Sequence, residues 1–166
     1  CDMFNIPIIL FADIPGLMVG RESEADAILR EGVRARYIAL QARVPMFSVI
    51  VRKCYGVAGG GFIDRAGLNF KIAWPSAEWG SLPVEGGVKA AYRREIESAP
   101  DPAAREREIE AELKQLASPF RTAEAFAVED LIDPRETRPY LCQFIDALQG
   151  RLATQLGPKA RAGVRP

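Results

Sequence analysis

The apolar residues of this chain fall into runs of two kinds. Nearly unbroken runs at residues 7–12 and 46–51 lack the polar alternation of a half-exposed strand and suit strands buried in a parallel sheet. Between them, Ala27, Ile28, Val33, Tyr37, Ile38 and Leu40 supply one apolar side over residues 22–43. That spacing predicts a helix opened by Glu22 or Ser23 and stopped by Pro45. Strand, helix and strand make a βαβ unit, right-handed by rule.

A third strand is expected at residues 69–74, ending in Trp74-Pro75, and a short turn or strand at 78–83. A helix follows at 84–96 with Gly86 and Gly87 in its first turns, each unfavourable by ~1 kcal/mol. Such glycines point to close packing or to a second helix end that faces an anion. Pro100 and Pro102 then break the chain, and Asp101 caps a charged helix at 103–116. Its narrow stripe of Ile109, Leu113 and Leu116 predicts a surface helix or one against a partner. A short helix (119–126), a brief strand (128–132) and a last helix begun by Asp133-Pro134 complete the pattern. Residues 1–156 read as one domain, and 157–166 as a loose basic tail rich in Gly and Pro.

The stretch that organises the rest is Gly56-Val57-Ala58-Gly59-Gly60-Gly61, directly after the second apolar strand. It matches neither the dinucleotide spacing GxGxxG nor a P-loop. A strand running through a glycine turn into a helix leaves first-turn N–H groups without partners, a place for a negative oxygen. The same glycines would also allow tight helix packing, and spacing leaves both readings open. The irregular loop Asp13-Ile14-Pro15-Gly16 ends the first strand and is expected beside this turn, at the edge where parallel sheets bind ligands.

Composition narrows the chemistry. The 166 residues carry 22 basic and 22 acidic side chains, so net charge gives no argument for nucleic acid or membrane. Arg93-Arg94 reads as a solvated helix face. There is no histidine, which removes histidine-based triads and most zinc and haem chemistry. Three scattered cysteines, without CxxC spacing, fit a reducing compartment and no metal site. No apolar run approaches the ~20 residues that span a bilayer. The start at Cys1, close to a strand, suggests a piece of a longer polypeptide.

Acid–base candidates are therefore carboxylates, Lys53 and tyrosines. Asp13 reads as a general base or, preferably, as a loop-capping carboxylate. Glu78 and Glu85 read as solvated surface acids, and Cys54 as a small core residue. The backbone itself remains the strongest element: first-turn N–H groups can stabilise an oxyanion by ~3–4 kcal/mol per donor.

The residues also resemble a known family. Asp2-Met3-Phe4-Asn5-Ile6-Pro7, then Asp13-Ile14-Pro15-Gly16-Leu17-Met18-Val19-Gly20, Val44-Pro45, Arg52-Lys53-Cys54-Tyr55-Gly56 and Ala73-Trp74-Pro75 carry the resemblance, in order. So do the charged helix, Ser118-Pro119-Phe120, and Val128-Glu129-Asp130-Leu131-Ile132-Asp133-Pro134-Arg135-Glu136-Thr137-Arg138. Together they resemble the C-terminal half of biotin-dependent acyl-CoA carboxylase carboxyltransferases, the family of the propionyl-CoA and methylcrotonyl-CoA carboxylase β subunits. The resemblance covers about residues 1–150.

It implies an α/β chain of the crotonase-like (ClpP/crotonase) fold, a β-β-α superhelix. It implies that backbone N–H groups of Val57 and Ala58 form an oxyanion hole for the biotin ureido oxygen. Tyr55, Gly56, Gly59 and Gly60 would border the biotin, and Pro15 and Gly16 would form a pocket loop, with no metal. The implied cofactor is carboxybiotin carried by a partner protein. The implied partners are an acyl-CoA-binding N-terminal half, a biotin carboxyl carrier protein with its biotin carboxylase, acyl-CoA, and further copies in a cytoplasmic homo-oligomer, without nucleic acid or membrane. The 166 residues alone are expected not to turn over. Many relatives have Gly at Val57, and propionyl-type relatives have Tyr-Asp at Gly59-Gly60. Residues 79–87 also differ from the methionine-glycine run common there. These departures keep two rivals in view, another crotonase-fold acyl-CoA enzyme and a non-catalytic assembly module.

Overall fold

The computed structural model describes residues 1–63 and 67–159, apart from the side chains of Phe62, Ile63 and Glu85. Five strands form one sheet: β1 (Ile8–Ile14), β2 (Met46–Tyr55), β3 (Asn69–Ala73), β4 (Glu78–Gly80) and β5 (Asp130–Leu131). All its pairings are parallel, in the order β1-β2-β3-β5, with β4 also on β2.

β2 is the axis. It runs ten residues, past the expected end at Val51, because its second neighbour comes in two pieces. Met46 to Ile50 pair with β3, and Lys53 to Tyr55 pair with β4. Between them the neighbouring chain leaves the ladder at Trp74-Pro75-Ser76-Ala77, where Pro75 has no N–H to give. The Trp74 N–H still reaches the Ile50 carbonyl (3.0 Å), and Ser76 Oγ donates to the Val51 carbonyl (2.7 Å). On the other side a register shift lies between Ala12 and Ile14 of β1. Asp13 sits in that irregularity, which re-aims the strand end.

Helices occupy the connections: α1 (Arg21–Ala25), α2 (Ile28–Gln41), α3 (Gly56–Ile63), α4 (Val84–Ala91), α5 (Arg93–Ser98), α6 (Pro102–Leu116), α7 (Pro119–Glu124) and α8 (Thr137–Ala153), the last preceded by a 3-10 turn at Pro134–Glu136. Phe47 and Ile72 pack with Phe70 and Phe144, so α8 covers one face of the sheet. Phe144 meets Phe47 edge-on at 4.9 Å. The other face carries Ala12, Ile50, Cys54, Ala73, Ala77 and Val128. A separate cluster of Val84, Val88, Ile96 and Ile109 joins α4, α5 and α6. The stripe on α6 therefore packs on this chain, although Leu116 stays exposed. Asp101 caps α6 as expected, its Oδ1 accepting from the Ala104 N–H at 3.0 Å.

Two expected helices are each broken in two. The helix expected at 22–43 divides at Asp26-Ala27, where Ala27 takes a left-handed conformation (φ 57°). The helix expected at 84–96 divides at Tyr92, which leaves helical geometry with φ −105°. Gly86 has φ +78°, and a Cβ on Gly87 would come within 2.7 Å of Leu82 Cγ. The first needs glycine for its backbone and the second for its packing, so close approach explains Gly87 alone.

The apolar side of α2 is not covered: none of its residues is buried, and Leu29 is 66% exposed. Phe11 on β1 is 54% exposed. Among the described residues, no helix is long and apolar enough to cross a membrane. Of the expected loose tail, residues 160–166 lie outside the described residues, while Lys159 is tied to Asp2 and Asn5.

Candidate active site at the glycine-rich turn

β2 delivers the chain into the site. At its end Gly56 takes φ +61°, a conformation that L side chains rarely adopt, and the backbone turns directly into α3. Val57 and Ala58 lie in the first turn of α3, where an N–H has no helical carbonyl four residues back. No described turn, loop or cap bond uses either N–H. The Val57 side chain points outward, 72% exposed, while Ala58 is buried.

The three glycines that follow have different surroundings. A Cβ on Gly59 would stand 2.6 Å from the Cys54 carbonyl carbon, so α3 folds back onto the end of β2 only because that atom is missing. A Cβ on Gly60 would meet nothing within 4 Å. One on Gly61 would press on Arg36 at 2.9 Å. Packing and an open site, the two readings of this run, thus divide between neighbouring positions.

A cavity of about 560 Å³ lies against the turn, bordered by Arg36, Gly56, Val57, Gly60, Gly80 and Ser81. Gly80 and Ser81 also border a second cavity of about 570 Å³, walled by Trp79, Leu82, Tyr92 and Leu113. Tyr55 borders this second cavity and lies buried beneath the turn. The Tyr55 hydroxyl donates to Glu78 Oε2 at 2.9 Å. Glu78 is therefore a half-buried partner of the turn's base, not the solvated acid expected. The Glu85 side chain lies outside the described residues.

The loop after β1 does come to the turn. Leu17 closes a small apolar cavity with Gly32, Val33, Val57 and Ala58. Gly16 has φ +136°, and a Cβ there would lie 4.0 Å from Pro83. Gly16 thus stands beside Pro83 at the start of α4, and neither it nor Pro15 borders the cavities at the turn.

Asp13 does not join the cavity. Its carboxylate accepts from Arg52 (3.1 Å from Nε and 2.9 Å from Nη2) and from the Lys53 N–H at 3.1 Å. The Arg52 hydrogen bonds hold its carboxyl below the usual carboxylate range, so Asp13 is an ionised loop cap. Cys54 is buried, as expected. Among the described residues no group of side chains is arranged to hold a metal ion.

Sequence reasoning missed Arg36, Gly80 and Ser81 at the cavity. Arg36 reads as one more polar residue on a helix, and only its contact across to α3 marks it.

The fold agrees with comparisons to known proteins. Residues 1–162 match the carboxyl transferase domain family. The propionyl-CoA carboxylase carboxyltransferase subunit of Haloferax mediterranei is 38% identical over 157 residues, which is 93% of this chain and 30% of that protein. The methylmalonyl-CoA carboxyltransferase 12S subunit of Propionibacterium freudenreichii is 34% identical over 161 residues, 96% of this chain and 31% of that protein. The solved structure of transcarboxylase 12S, described as a hexamer with methylmalonyl-coenzyme A and methylmalonic acid bound, superposes with TM-score 0.80 at 32% identity. That match covers 100% of this chain and 32% of the other. The β subunit of geranyl-CoA carboxylase from P. aeruginosa shares the fold at TM-score 0.82 and 22% identity, over 99% of this chain and 32% of that one.

The parallel sheet is thus that of the crotonase-like fold found in carboxyltransferase subunits. This chain belongs to the carboxyl transferase domain family. It spans about a third of the length of the relatives it matches.

Proposed function

We propose that this chain is the carboxybiotin-binding part of a biotin-dependent acyl-CoA carboxyltransferase. The observation that carries the reading is the first turn of α3, whose Val57 and Ala58 N–H groups lack helical acceptors, with Val57 bordering the open cavity and Ala58 the small apolar one beside it. The turn fits a flat urea head: Gly60 leaves open space where a side chain would stand, and among the described residues no acidic side chain borders the cavity of Gly56, Val57 and Gly60 to repel a negative oxygen.

When bound, carboxybiotin supplies the carboxyl group that passes to the acyl-CoA. The residues of this chain bind and orient. Val57 and Ala58 donate their N–H groups to the ureido oxygen, whose negative charge grows as the carboxyl group leaves. Tyr55 and Gly56 hold the turn from below, and Gly59 and Gly60 keep side chains out of the approach. No side chain of the site has to carry a proton.

The acyl-CoA comes from a partner half. The uncovered apolar residues of α2 and β1 offer that half, or another copy of the chain, a surface to bury. A biotin carboxyl carrier protein brings the biotin from its carboxylase, and three scattered cysteines without CxxC spacing fit a cytoplasmic assembly.

The test is Val57→Pro, which removes one donor at a first-turn position where proline is tolerated. In the chain assembled with its acyl-CoA half, carboxylation of free biotin from methylmalonyl-CoA should fall by ~100-fold or more in kcat. Circular dichroism should be unchanged. A variant that keeps the full rate removes the donor role.

A further inference from the structure

Arg36 reaches from α2 to α3 at the point where the donor helix is weakest. Its Nη1 donates to the Gly61 carbonyl. Gly61 lies among the last four residues of α3, whose carbonyls have no donor within the helix. An arginine there satisfies one such carbonyl and places positive charge at the negative end of the helix dipole.

The contact is built for this pair. The missing Gly61 Cβ would stand 2.9 Å from Arg36 Nη1, 3.4 Å from Cδ and 3.7 Å from Cζ, so the arginine side chain occupies the place of that side chain. Gly61 is buried and Arg36 half-buried. Arg36 borders both the large cavity at Gly56, Val57 and Gly60 and the small one at Val57 and Ala58. Among the described residues it has no ion-pair partner, so its charge is left for this helix and its cavity.

An eight-residue helix with glycine at 59, 60 and 61 has little stability of its own. We propose that Arg36 is a positioning residue for the donor turn: it clasps α3 through Gly61 and so holds the Val57 and Ala58 N–H groups on one oxygen. The proposal rests on the donor role given above to those two amides. It also gives α2, which buries no residue of its own, a direct mechanical hold on the turn.

The experiment uses the chain assembled with its acyl-CoA half and reads two quantities, amide hydrogen exchange and carboxylation of free biotin. Arg36→Met should speed exchange at Val57 to Gly61 at least tenfold, leaving Val49 and Ile50 of β2 unchanged. It should lower kcat about tenfold with KM for the acyl-CoA unmoved, and Arg36→Lys should restore most of both. Gly61→Ala alone should act like Arg36→Met, since the new Cβ displaces the guanidinium. In the Arg36→Met background, Gly61→Ala should recover protection, because the methyl group then has room and favours the helix. Unchanged exchange in Arg36→Met, or additive losses in the double variant, overturns the clasp. A wild-type assembly that transfers no carboxyl group would sink the functional reading, while the exchange results would still decide the clasp.

Discussion

Gly59 stands over Cys54 with no room for a side chain: a Cβ would lie 2.6 Å from the Cys54 carbonyl carbon and 2.9 Å from its Sγ. Backbone cannot retreat as a flexible side chain can. Gly59→Ala should therefore cost at least ~1–3 kcal/mol of stability, and should lift α3 off the end of β2. Gly60→Ala, one residue on, meets open space and should gain up to ~1 kcal/mol from reduced backbone entropy. Denaturant unfolding of the two variants should move the midpoint in opposite directions.

Tyr55 links the floor of the turn to β4. Its ring is buried, and its hydroxyl donates to half-buried Glu78. Removing the hydroxyl strips the carboxylate of a donor in a place that water reaches poorly. Tyr55→Phe should lower stability by ~1 kcal/mol, read in urea unfolding. Glu78→Gln keeps an acceptor and should lose less. A loss in Glu78→Gln with none in Tyr55→Phe would mean that the carboxylate charge, not the hydrogen bond, matters.

Much of this was legible in the residues. The apolar runs gave β1 and β2, and the glycines after Tyr55 gave α3 its place and its exposed first turn. The resemblance added the fold, which pattern alone had only as a parallel α/β sheet. What stayed illegible was decided between elements. Ala27 breaks a helix without a glycine or proline to announce it. The apolar side of α2 has the periodicity of a buried helix, yet among the described residues nothing buries it. Arg36 looks like solvated helix surface until α3 is placed beside it. Gly59 and Gly60 are identical letters with opposite surroundings.

Asp13 sits beside the site without taking part in it. A general base needs a pKa near the working pH, and the Arg52 hydrogen bonds push this carboxyl the other way. The pair is exposed, with 40% of the Asp13 side chain and 59% of that of Arg52 open to solvent. Asp13→Asn should cost no more than ~1 kcal/mol. It should leave kcat for carboxyl transfer and its pH profile unchanged in the assembled enzyme. A profile that loses an acidic limb in the variant would return Asp13 to the list of catalytic bases.

Asp2 gives the fold an acid-sensitive tie. Its Oδ1 accepts from the N–H groups of Arg43 (2.8 Å) and Val44 (3.1 Å), and Lys159 Nζ lies 3.3 Å away. Both side chains of the ion pair are nearly buried, 8% exposed for Lys159 and 10% for Asp2. Burial raises the carboxyl pKa, but the two backbone donors and then Lys159 outweigh it and hold the group below its ordinary value. A carboxyl lowered in the folded state adds stability that is fully present above its unfolded pKa of ~3.9. That stability is lost as pH falls from there through the folded value. Thermal melts should therefore show a step of destabilisation below about pH 4 that Asp2→Asn lacks. At neutral pH, Asp2→Ala should cost ~1–3 kcal/mol, because it leaves two N–H groups without their acceptor and a nearly buried ammonium without its counter-charge, held only by the residue 2 carbonyl and Asn5 Oδ1. An Asp2→Asn variant that keeps the full acid step would assign it to another carboxylate, with Asp133, lowered to about 2 by Arg135, titrating at the far end of the same range.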